Sequence, residues 1–181
     1  MKLLLNILFA FVLAFTGNYA FSQNRHQLHE PAGRGELETV KKVIEKGGNV
    51  DKKDIAGQTA LMYAAESGSL EVIKYLVEKG ADVNAVSGDA GRGTALIYAA
   101  AANKLEVVKY LLENGADINA TTPYQHETAL LWAVAMGHMD AVKLLLEKGA
   151  DKNIKNRDGE VVLDVARKLN KEDIIPLLES E

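Results

Sequence analysis

Four histidines are the first residues to test for chemistry: His26, His29, His126 and His138. His26 and His29 stand at i, i+3, which on a helix would put both rings on one face, a first requirement for a shared metal ion. The sequence places no carboxylate or third histidine beside them, so they read as residues of a surface cap and no metal site is assigned. His138 opens a helical stretch and reads as structural. The loop GDAGRGT, from Gly88 to Thr94, imitates the glycine spacing of a phosphate cradle. It lacks the lysine that would reach a phosphate, and no strand precedes it. It reads as an extended finger between helical segments, with Arg92 placed to meet an acidic group. Asp82, Asp117 and Asp151 each follow Gly-Ala, a turn setting rather than an acid–base pair. No nucleophile stands at a defined spacing from a base, and cysteine is absent. The chain reads as non-catalytic, with no cofactor.

The elements that position these residues come from one repeated unit, clearest from Gly57 to Ala85 as GQTALMYAAESGSLEVIKYLVEKGADVNA. TALMYAA is dense in small apolar residues, as a helix packed on both sides requires. Leu70, Ile73, Leu76 and Val77 follow along one face of a second helix. Glu71 and Lys79 sit where the helix dipole favours them, and Gly80 supplies a stop. A glycine or asparagine between the two helices recurs at Gly35, Gly68, Asn103, Gly137 and Asn170, at intervals of 33, 35, 34 and 33 residues. Those are the residue types that best tolerate a positive φ. The stop recurs in parallel at Gly47, Gly80, Gly115 and Gly149. A single helix pair has no neighbour against which to bury its apolar face, so copies must stack.

GQTALMYAA at Gly57, GTALIYAA at Gly93, ETALLWAV at Glu127 and the Gly-Ala-Asp runs at Gly80, Gly115 and Gly149 resemble ankyrin repeats. The resemblance runs from about Gln27 to the C-terminus. It implies an all-α solenoid of stacked helix–turn–helix units joined by β-turn loops, about five helix pairs with atypical end copies. The copies fall at about 27–53, 54–86, 87–121, 122–155 and 156–181. Where the family has Thr-Pro-Leu-His, this chain has Thr-Ala-Leu followed by Met62, Ile97 or Leu131, which removes the Thr–His side-chain bond.

Departures from the pattern carry local expectations. Pro31 stands where other copies have Ala64, Ala99 and Ala133, so the first helix should start late or kink. Pro176 is tolerable at the third position of a short last helix capped by Asp173. The two middle inter-repeat loops are longer than the outer ones by two and one residues, and insertions in repeat arrays collect on the binding face.

Residues 1–22 read as a secretory signal peptide cut before Gln23. Lys2 precedes the apolar run Leu3–Phe15, and Ala20 and Ser22 suit a cleavage site. The run is too short for a membrane span. Removal leaves 20 basic against 25 acidic side chains, a net of −5, unsuited to nucleic acid. The expected location is the periplasm or outside the cell, as a monomer with no membrane attachment.

Tyr63, Tyr98 and Trp132 share one register position in three copies and would align as an aromatic stripe, either packed between repeats or partly exposed to a partner. The family resemblance puts partner contacts on loop tips and the concave face. That selects Tyr63, Glu66, Arg92, Tyr98, Tyr124, Gln125, Glu127, Trp132, Met136 and Arg157, with Tyr124, Trp132 and Met136 at the centre; Asp89 is a further loop-tip contact. The function expected is binding another protein in the cell envelope, as an accessory factor for a periplasmic enzyme or as an immunity protein against a toxin. The competing class is a small-ligand or metal-binding enzyme built on the histidines or the glycine loop.

Overall fold

The computed structural model describes residues 28–88 and 92–179. The leader, His26 and Asp89 lie outside the described residues. Within them the chain forms five antiparallel helix pairs: α1 His29–Gly33 with α2 Leu37–Glu45, α3 Ala60–Ser67 with α4 Leu70–Glu78, α5 Ala95–Ala101 with α6 Leu105–Glu113, α7 Ala129–Met136 with α8 Met139–Glu147, and α9 Val162–Lys168 with α10 Ile175–Glu179. The fold is all-α, and the described residues contain no strand beyond one isolated bridge between Thr121 and Thr128.

Each central inner helix starts at a threonine in extended conformation, Thr59, Thr94 or Thr128. The bend that returns the chain into the outer helix uses a left-handed residue every time. Gly35, Gly68, Asn103, Gly137 and Asn170 have φ of 73°, 85°, 55°, 77° and 52°. The helix stops at Gly47, Gly80, Gly115 and Gly149 lie between 84° and 88°. Both series read from the sequence are therefore backbone requirements.

Alanines carry the stacking. Ala60, Ala64, Ala65, Ala99, Ala100, Ala129 and Ala133 are fully buried, and their small side chains let successive inner helices approach closely. The inner helices α1, α3, α5, α7 and α9 pack in sequence, more tightly than the outer helices do among themselves, so the stack curves toward its inner side. Between the layers lie Leu61, Leu96 and Leu130 from inner helices and Ile73, Leu76, Leu111 and Leu145 from outer ones, all essentially sealed from water.

Polar turns link the units along another edge. Asp82, Asp117 and Asp151 accept bonds from the backbone N–H two residues on, in Asn84, Asn119 and Asn153, at 2.8–2.9 Å. Their own N–H groups donate to the preceding copy: Asp82 to Asp51, Asp117 to Asn84 and Asp151 to Asn119, at 2.8–2.9 Å. Each aspartate thus shapes its turn and fixes the register to its neighbour.

The end copies differ as their prolines demand. Helix α1 begins at His29, two residues later than the register of α3, with Pro31 in its first turn. Helix α10 corrects the expectation for the other end: it starts at Ile175, so Pro176 is its second residue and Ile174 rather than Asp173 occupies the cap position. Ile174 is buried, and seating that side chain in the core outweighs a carboxylate cap worth about 1 kcal/mol. His29 also corrects the surface reading. It is 3% exposed, its Nε2 is 2.8 Å from the Lys52 carbonyl, and its ring meets Tyr63 edge-on.

Candidate functional site

Four fingers project where one copy passes into the next, and each is closed at its base by one backbone bond. Asp54 donates to Gln58, Ser87 to Gly93, Thr122 to Glu127 and Asn156 to Glu160, at 2.9–3.0 Å. The closures enclose residues 55–57, 88–92 (only Gly88 and Arg92 being described), 123–126 and 157–159, so in chain length the middle fingers are longer by two residues and one. The first two fingers and the last two are joined: Gly88 N donates to Ala56 O at 2.9 Å and Arg157 N to Gln125 O at 2.8 Å. A Cβ on Gly57 (φ 72°) would run into the Gly88 backbone, which is why the first junction needs glycine.

Arg92, on the longest finger, folds back onto the inner helices. Its guanidinium bonds Glu66 at 2.7 Å and stacks over the rings of Tyr98 and Trp132, at 5.7 and 5.3 Å from their centroids. Its backbone N–H donates to the Tyr98 hydroxyl at 2.9 Å, which also accepts from the Gln58 side chain. Four residues selected from the sequence, Glu66, Arg92, Tyr98 and Trp132, are thereby brought into one cluster spanning three copies. The cluster corrects one of them. Tyr98 is 2% exposed, covered by the finger, so it anchors Arg92 and offers a partner no surface. Tyr63 and Trp132 remain half-buried, and the aromatic stripe is mainly packing.

Tyr63 is tied down by a 2.8 Å bond from its hydroxyl to Asp54. Burial first, then that bond, pushes its pKa up to about 12. Glu127 is half-buried, and desolvation raises its pKa, with Asp158 adding to the rise and the Trp132 indole N–H opposing it. Trp132 Nε1 nonetheless has no partner in hydrogen-bonding geometry. Tyr124, Gln125 and Arg157 form a second, outer group: Arg157 lies 4.4 Å above the Tyr124 ring, and its backbone bonds Gln125. Met136 shares a helix face with Trp132 at i, i+4 but stands apart from both groups, at the far end of α7.

Leu169 was missed in the sequence. It precedes Asn170 as Met136 precedes Gly137, a register that was legible. Among the described residues the exposed large hydrophobic side chains are Ile55, Val86, Tyr124, Met136 and Leu169. Ile55 and Tyr124 sit on fingers, Val86 just before the second finger closes, and Met136 and Leu169 at the C-terminal ends of inner helices; the outer helices supply none of them. No group of three or more metal-ligating side chains occurs among the described residues, and His138 is used structurally, its Nε2 3.0 Å from the Ala101 carbonyl. No helix among them is long and apolar enough to cross a membrane.

A search of curated proteins finds no match. The family model described as ankyrin repeats (3 copies) matches residues 28–122, 88–156 and 122–180. Taken with the five stacked helix pairs and their glycine and asparagine bends, that match settles membership: the chain belongs to the ankyrin-repeat family.

Proposed function

We propose that this protein is a non-catalytic scaffold of the cell envelope that holds a partner protein against its fingers and inner helices. Ankyrin repeats are protein–protein interaction modules, and the family is typically non-catalytic. The observation that carries the proposal is the one-sided distribution of exposed apolar side chains. Ile55 is 79% exposed, Tyr124 56% and Met136 48%, and each gains by being covered, at about 25 cal/mol per Å² of apolar surface. The bonded fingers and the Arg92 cluster hold this surface in one shape before a partner arrives, which lowers the ordering cost of association. Support for an envelope location comes from the leader alone, through Leu3–Phe15 and the Ala20-Phe21-Ser22 site.

The test replaces Tyr124, Trp132 and Met136 together by alanine and compares crosslinked partner capture with the parent protein. The expected result is loss of capture with the helical circular dichroism spectrum retained. Capture undiminished by the triple replacement in a folded protein contradicts the proposal. The intact mass of the exported protein, starting at Gln23, checks the location.

A further inference from the structure

Four arginines fall among the described residues, and three are engaged with carboxylates: Arg34 with Glu30 and Glu36, Arg92 with Glu66, and Arg167 with Glu179. Arg157 alone forms no ion pair with a described residue. It is nevertheless fixed in place. Its guanidinium lies 4.4 Å above the centroid of Tyr124, nearer than Arg92 is to either of its rings. Its backbone N–H is bonded to Gln125 on the neighbouring finger at 2.8 Å. The turn that carries it is closed by Asn156 Oδ1, which accepts from Asp158 N at 3.0 Å and Glu160 N at 2.9 Å. Both Arg157 and Tyr124 are exposed.

We infer that Arg157, stacked on Tyr124 across the last two fingers, is a clamp for the side-chain carboxylate of an aspartate or glutamate on the partner protein; this rests on the scaffold reading above. Stacking uses the face of the guanidinium and leaves its edge, where the N–H donors lie in a plane that matches a carboxylate fork. The ring fixes the side chain beforehand, so less rotamer freedom is lost when the bond forms. Tyr124 adds apolar contact beside the charge, a pairing of residue types common at the energetic centres of interfaces. A phosphate fits less well, because Asp158 adjoins Arg157 in the chain and repels a doubly charged group more than a single carboxylate charge.

The test selects twelve-residue peptides from a random display library on the immobilised protein. Enriched peptides are then measured by fluorescence anisotropy, each both as the C-terminal amide and as the free acid. The clamp predicts enrichment of an acidic residue next to an apolar one. Changing that residue to its amide, or Arg157→Ala in the protein, weakens binding roughly tenfold, the effect of one charge-assisted contact. Arg157→Lys recovers only part of it, because a lysine cannot fork. Peptides without an acidic residue, no enrichment, binding that requires a free C-terminus, or equal affinity for Arg157→Ala with its melting temperature unchanged would each overturn the clamp. If the triple replacement abolishes capture of the natural partner while Arg157→Ala leaves it intact, the scaffold stands and the clamp falls.

Discussion

Glu127 shows what the site does to a single side chain. Desolvation raises its carboxyl pKa in the folded protein, so the native state holds this proton more tightly than the unfolded chain. Stability is then lost as pH rises through the interval between the unfolded and folded values, and the loss is complete at neutral pH. Glu127→Gln, which keeps the shape without the charge, should melt higher than the parent at pH 7. The two should converge below pH 4, where the parent carboxyl is protonated in both states. A difference that widens on acidification would show that the anion is stabilised instead. The threonines show a related deficit. Thr59 and Thr94 bury hydroxyls with no hydrogen-bond partner, as Met62 and Ile97 in place of the family's histidine imply, whereas the Thr128 hydroxyl accepts from Leu131 N at 3.2 Å.

At the scale of the element, the bend between paired helices sets the fold, and its chemistry was readable because few residue types tolerate a positive φ. Gly68→Ala should therefore destabilise by about 1–2 kcal/mol, with crowding of the Lys104 side chain in addition. Asn103→Gly should stabilise by up to about 1 kcal/mol, since φ 55° costs asparagine more than glycine. Urea denaturation measures both, and opposite signs are the expected outcome. The late start of α1 was legible from Pro31 for the same local reason. The start of α10 falls a residue later than Asp173 as a cap implies, because burial of Ile174 is a tertiary fact. Tyr98 is a similar case: its position in the repeat is visible in the sequence, but its cover comes from Arg92, folded back from a lengthened finger. Finger lengths were legible; where a finger's side chain lands was not.

For the molecule as a whole, each copy rests only on its neighbours, so the surface exists only while the stack is intact. The central claim is that one side of that stack, fingers and inner helices, meets another protein. The most direct measurement places a photo-crosslinking amino acid at single positions in the protein within the cells that produce it. Ile55, Tyr124 and Met136 probe the proposed side, and Lys74, Glu106 and Lys143, exposed on the outer helices, probe the opposite one. The account predicts that the first three crosslink to the same partner protein and that the second three do not. Equal crosslinking from both sides, or from the outer helices alone, would contradict it.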